Sequence, residues 1–192
     1  MMKKQNLYLA GLGIATVVLS LLPMGNKPAI AQLLESGTMV VQNVLQQPKV
    51  SLNLVADKQI IQKNNQGQVI VSWKELDTKK AVLPGEVIRF TVLGKNQGNK
   101  SAKSLNIVQR IPQGLIYQLK SATASVKDTT ITYSIDQGKT FVASPMVKVT
   151  LANGKVEERP APDSAYTHLR WDFKQQLQPE ASLQVAYLTK VR

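Results

Sequence analysis

From Lys49 onward the chain alternates between apolar and polar positions. Val50, Leu52 and Leu54 are separated by Ser51 and Asn53, the period-two pattern of a half-buried strand. Asn64-Asn65-Gln66-Gly67 reads as a turn, and residues 69–73 as the next strand. After Pro84-Gly85, residues 86–95 place Ile88, Phe90 and Val92 on one side and Arg89 and Thr91 on the other. Asn96-Gln97-Gly98-Asn99 turns the chain again. Leu105, Ile107 and Ile111 follow, closed by Pro112-Gln113-Gly114. Residues 131–135 and Phe141-Val142 read as two hairpin arms. Val147, Val149 and Leu151 lead to Asn153-Gly154, a strong hairpin signal. Residues 157–164 hold Pro160 and Pro162 and read as a loop. Leu169, Trp171 and Phe173 then point inward, as do Leu183, Val185, Tyr187 and Val191 in the last strand. The pattern predicts eight or nine short strands and no amphipathic helix in this part. The expected fold is all-β, an immunoglobulin-like antiparallel β-sandwich, with a closed barrel as the alternative.

The first 31 residues follow a different rule. Lys3 and Lys4 precede an apolar run over residues 7–22, then Pro23, Gly25 and Ala29-Ile30-Ala31. A basic start, an apolar core, a helix breaker and an Ala-x-Ala end are the parts of a secretory signal peptide, here a signal-peptide helix. Cleavage is expected between Ala31 and Gln32. The other reading is an uncleaved anchor, but the 16-residue core falls short of the roughly 20 needed to cross a bilayer. The expected organisation is a signal peptide over residues 1–31, an N-terminal extension or linker over 32–48, and a single sandwich domain over 49–192. Residues 39–45 carry a possible short helix.

Cleavage leaves 161 of the 192 residues, enough for one domain with a core. No later stretch is apolar and long enough to span a membrane as a helix. The chain has no cysteine, which excludes disulfides, a lipid-modified cysteine, thiolate metal sites and cysteine nucleophiles together. Loss of Lys3, Lys4 and Lys27 takes the formal net charge from +12 to +9. Such a charge favours anionic partners, of which an acidic polysaccharide fits an exported protein and nucleic acid does not. The lysines are scattered, without a basic run, so solubility is the favoured explanation of the charge.

Several segments together resemble a known bacterial surface family. Residues 82–92, Val-Leu-Pro-Gly-Glu-Val-Ile-Arg-Phe-Thr-Val, followed by Asn96-Gln97-Gly98, are similar to the opening of domain of unknown function 11. Ile111-Pro112-Gln113-Gly114-Leu115 resembles that family's Leu-Pro-x-Gly-Leu corner. Leu169-x-Trp171, Leu177-x-Pro179 and residues 183–191 resemble its closing pair of strands. The likeness covers about residues 80–192 in a single copy. The family commonly has an aspartate before the corner, where this chain has Gln109 and Arg110. The resemblance implies an immunoglobulin-like sandwich at or outside the cell envelope. It implies no catalytic activity and carries no catalytic residues.

Few positions suggest chemistry. Ser134-Ile135-Asp136-Gln137-Gly138-Lys139-Thr140-Phe141 resembles the Asp-box of sialidase-type propellers, a hairpin device in which Asp136 binds turn amides, Gly138 takes positive φ and Phe141 packs beneath. One box cannot build a propeller. His168 is the single histidine and shares the outward face of its strand with Arg170 and Asp172, where Asp172 is expected to pair with Arg170 or a lysine. No nucleophile elbow frames a serine. The carboxylates are scattered; Glu75-x-Asp77 and Glu157-Glu158 lack the spacing of a calcium loop. No metal or cofactor is expected. Trp171 belongs to the apolar face of its strand, whereas Trp73 ends one. Trp73, Arg89 and Arg170 are the candidate ligand contacts. The expected function is that of a non-catalytic envelope or extracellular module for protein interaction or structure. The alternative is a carbohydrate-binding module for anionic glycans; a hydrolase would need polar groups converging in a cleft.

Overall fold

The computed structural model describes residues 48–77 and 81–192; the expected signal peptide, its cleavage site at Ala31 and Gln32, and the segment 32–47 lie outside the described residues. Eleven strands occur among the described residues: β1 (Val50–Lys63), β2 (Val69–Glu75), β3 (Val87–Asn96), β4 (Asn106–Arg110), β5 (Leu115–Tyr117), β6 (Thr123–Ala124), β7 (Thr129–Ser134), β8 (Met146–Thr150), β9 (Val156–Pro160), β10 (His168–Phe173) and β11 (Ser182–Val191). Among the described residues the one helical element is a 3-10 turn at Asp163–Ala165. No helix among the described residues is long and apolar enough to cross a membrane.

The strands form an antiparallel β-sandwich. The larger sheet runs β2-β1-β3-β11-β5, with β6 also paired to β11; the smaller runs β4-β10-β7; β8 and β9 form a separate hairpin. Alternation decides which side chains lie between the sheets. Ile88, Phe90 and Val92 of β3, Leu169, Trp171 and Phe173 of β10, and Leu183, Val185, Tyr187 and Val191 of β11 are all buried. Val50, Leu52, Leu54 and Ala56 of β1 pack against this core from the edge. Aromatic rings join the two sheets. Tyr187 stacks on Phe90 at 5.3 Å and meets Trp171 of the opposite sheet at 6.1 Å. The Trp171 indole N–H donates to the Thr123 carbonyl at 3.1 Å, so its polar edge is satisfied inside. A second group, Tyr117, Tyr133 and Tyr166, closes another part of the interface with ring separations of 5.4–5.6 Å.

Buried polar side chains fix the ends. Asn96 is fully buried at the end of β3. Its Oδ1 accepts from the Lys49 and Gly98 amides, and its Nδ2 donates to the Lys100 and Leu177 carbonyls. One side chain thus ties the start of β1, the turn after β3 and the approach to β11. Gly94 is a close-approach position: a Cβ there would lie 2.9 Å from Leu183 Cδ1 and 3.0 Å from Leu52 Cδ2.

Three features depart from the sequence expectation. Residues 157–160 are not a loop: β9 pairs with β8 through Val156, and Pro160 sits opposite Met146 at the hairpin's open end. Proline is tolerated there because an edge strand's terminal residue need not donate. The short strands β5 and β6 add to the expected number; both lie in a stretch whose alternation is too brief to read. The Phe141-Val142 arm contributes only an isolated bridge between Tyr133 and Val142.

Trp171 fills the space between the sheets, so its truncation leaves a cavity and removes the indole bond to the Thr123 carbonyl. Trp171→Ala is expected to lower the unfolding free energy by about 3–5 kcal/mol, measured by urea denaturation. A loss below about 1 kcal/mol would contradict this account of the core.

Candidate functional site

The three candidate contact residues lie in two places. Trp73 on β2 and Arg89 on β3 come together on the outer face of the larger sheet. The Arg89 guanidinium lies over the Trp73 ring, 4.4 Å from its centroid. The same guanidinium donates from Nη2 and Nε to Asp57 Oδ2 at 2.8 and 3.2 Å. The register explains the meeting: Asp57 pairs with Glu75 on one side and Arg89 on the other, and Gln59 pairs with Trp73. Trp73, half-buried, therefore has one ring face covered by Arg89, and Arg89 already has its carboxylate.

Arg170 is on the outer face of the smaller sheet and does not join them. It donates from Nη2 and Nε to Asp172 Oδ1 at 2.6 and 2.8 Å and lies 5.8 Å from the Phe141 ring centroid. The Asp172 partner expected from alternation is thus Arg170 itself. His168, on the same face, keeps its Nδ1 3.1 Å from Thr167 Oγ1. Asp136 is engaged elsewhere: Oδ1 accepts from the Ser134 hydroxyl and the Lys139 and Thr140 amides, and Oδ2 from the Thr140 hydroxyl. The Asp-box hairpin therefore forms as its residues suggest, with Gly138 at φ +85°. The ring beneath its turn differs from expectation. A Cβ on Gly138 would lie 3.5 Å from the His168 ring, whereas Phe141 turns toward Arg170.

Charge follows geometry. The Ser134 hydroxyl, then Thr140, hold the Asp136 carboxyl well below its ordinary range. Burial, reinforced by the Arg110 cation, lowers His168 below its ordinary value of 6.5, against the opposing pull of Asp136. For Glu86, burial would raise the carboxyl; the Lys58 ammonium at 2.6 Å and the Leu83 amide reverse this and leave it lowered. A cleft of about 210 Å³ lies beside this pair, lined by Lys58, Ile60, Lys74, Leu76, Ala81 and Val82 among others. It is smaller than the roughly 300–1,000 Å³ of ordinary ligand pockets. Among the described residues, no group of three or more His, Asp or Glu side chains is placed to hold a metal.

The most distinctive surface is apolar. β1 pairs with β3 only from Val50 to Lys58; its remaining residues pair with β2 alone. The β1–β2 hairpin thus continues past the sandwich as a two-stranded ribbon. Its tip is well built: Asn64 Oδ1 accepts from the Gln66 and Gln68 amides, and Asn64 Nδ2 donates to Gln68 Oε1. Ile61, Val69, Ile70 and Val71 on this ribbon are 49–63% exposed. Sequence reading recognised the strand but not its exposure. The available signal was the uncharged run 69–73, which has apolar residues on both faces and so does not alternate like a core strand.

Compared with known proteins, the chain matches no family model, no curated protein and no solved structure.

The lowered His168 and carboxyl groups predict a definite acid response. The unfolded chain binds a proton at His168 first, so this contribution to stability is complete above about pH 6.5 and declines as pH falls below it. Asp136 and Glu86 add a further loss as pH drops below their unfolded values of 3.8 and 4.5. Thermal unfolding followed from pH 8 downward is expected to show both phases. His168→Gln should flatten the first and leave the second; an unchanged first phase would refute the assignment.

Proposed function

We propose that this chain is an exported, non-catalytic β-sandwich that acts through macromolecular contact in the cell envelope or extracellular space. The observation that carries the reading is the exposed apolar ribbon of β1 and β2, combined with surface charges that already have partners. Arg89 is committed to Asp57, Arg170 to Asp172, and Asp136 to its own turn. None of these groups is directed at a shared point where a reacting atom would sit, as an active site requires. The signal-like residues 1–31 and the resemblance of residues 80–192 to domain of unknown function 11 support the same reading. Contiguous exposed apolar surface of this kind marks interaction sites.

A second reading rests on Trp73. Its half-exposed ring, flanked by Arg89 on a chain of net positive charge, suits stacking of an anionic sugar. Glycan binding that weakens with salt and is lost in Trp73→Ala would favour it over the contact with protein.

The test of the main reading is a photo-crosslinking residue at Val71 in the full chain, expressed in cells. The expected result is export, with crosslinks confined to envelope or extracellular proteins. Retention of the chain in the cytoplasm, or crosslinks from Val71 no more frequent than from a control position at Lys174, would overturn the proposal.

A further inference from the structure

We infer that β2 is a self-association edge, and that its occupant is β2 of a second copy, paired antiparallel about a two-fold axis through Val71. The inference deepens the contact-module reading by naming the partner.

Backbone polarity identifies the free edge. Leu76 N donates to Ala56 O at 2.8 Å, and Asn64 N donates to Gln68 O at 3.0 Å. Both bonds fall on the even-numbered residues of the β1–β2 register. Even-numbered residues of β2 therefore bond inward to β1. Val69, Val71, Trp73 and Glu75 direct their N–H and C=O groups to the open side. Among the described residues, β2 pairs with no other strand. A two-stranded ribbon is marginal in water, and an open edge free of charge from Val69 to Trp73, without proline or bulge, is a template for another strand.

Self-complementarity selects a second copy over an unrelated strand. With Val71 facing Val71 of the second copy, Val69 faces Trp73 in both directions. All of these are odd-numbered residues, so each outward N–H meets an outward C=O. In the same arrangement Ile70 faces Ser72, Lys74 faces Gln68, and Glu75 faces Gly67. No like charges stand opposite one another, which removes the usual penalty for pairing identical strands. The apolar side chains also align. Ile61 is the β1 neighbour of Val71 on the same face, so Ile61 and Val71 of both copies form one row across the joined ribbons. The Val69–Trp73 contacts flank that row on either side. Because the ribbon extends past β3, its edge is accessible to another copy.

The contact is small. Ribbon-to-ribbon pairing lies at the low end of specific interfaces, below about 1,200 Å². The dimer is therefore expected to be reversible, with a dissociation constant on the order of micromolar.

The absence of cysteine makes a clean test possible. Purified chain is first followed by sedimentation across a concentration series, with a monomer–dimer transition expected. Val71→Lys, at an exposed position, should shift the transition at least tenfold while leaving the unfolding midpoint nearly unchanged. Val71→Cys should form a disulfide dimer under mild oxidation, because facing residues of a bonded pair lie about 5.5 Å apart, within disulfide reach. Val69→Cys should not, since its counterpart is displaced by about 13 Å along the ladder. A monomer at every concentration, a dimer indifferent to Val71→Lys, or equal crosslinking at both cysteines would each overturn the inference. Monomeric chain that still crosslinks to envelope proteins in cells through Val71 would refute the second copy as occupant and leave the contact-module reading standing.

Discussion

The contact between Trp171 and Tyr187 is the constraint on which the rest of the fold depends. Trp171 belongs to β10, the centre of the smaller sheet, and Tyr187 to β11 of the larger. Tyr187 in turn stacks on Phe90 of β3. Three aromatic side chains thus set the spacing and registration of two sheets whose backbones share no ladder. With no cysteine available, no covalent link reinforces the interface. Sandwich stability has to come from large apolar side chains that interdigitate, with their few polar atoms satisfied in place. The Trp171 indole N–H on the Thr123 carbonyl meets that requirement and also fastens β6 against the core.

Most of this was legible along the chain. The alternation of Ile88, Phe90 and Val92, and of Leu169, Trp171 and Phe173, identified the strands and the faces they bury. A two-residue period leaves little freedom once one face is apolar. The Asp-box hairpin was legible for a related reason, since its bonds run between residues two to four apart. What was not legible depends on distant partners. Asn96 reads as a turn residue, and only the return of Leu177 and Lys49 to the same place makes it a buried tie. Gln109 lies in an otherwise alternating strand, yet points inward, 1% exposed, with its Nε2 lacking a partner; no local pattern announces a polar group in that position. The meeting of Trp73 with Arg89 was equally hidden. Each was visible as an outward residue, but their contact requires β1 to lie between β2 and β3 in one particular register.

The surface divides the work of solubility and recognition between different elements. Many charged residues are neutralised close to home: Arg89 by Asp57 and Arg170 by Asp172 on the outer faces, Lys58 by Glu86 at the rim of the core, and Arg159 by Glu157 on the β8–β9 hairpin. Exposed pairs of this type contribute little to stability. Their larger consequence is that few strong, unspent charges face the solvent from the sheet centres. The net positive charge is instead carried by dispersed lysines, which act over a distance and are screened by salt. Specific short-range contact then falls to the apolar positions.

Edges decide where such contact occurs. A sandwich has several, and those in this chain are treated differently. β5 and β6 are too short to template a strand of useful length. The β8–β9 hairpin carries Glu157, Glu158 and Arg159 and ends on Pro160. β7 is covered at its end by the Val142 bridge and the Asp-box turn. Each of these is a known defence against strand addition. β2 has none of them between Val69 and Trp73: no charge, no proline and full strand length. A polar residue in place of Val69 or Val71 would have protected this edge without disturbing the core, because neither side chain reaches it. β4 and the β1 stretch Val50–Val55, which pairs with β3 alone, are also open and without proline, but neither presents an exposed large apolar side chain. Val69, Ile70 and Val71 set β2 apart, and an open edge that also exposes its apolar side chains is best explained by an edge that is used.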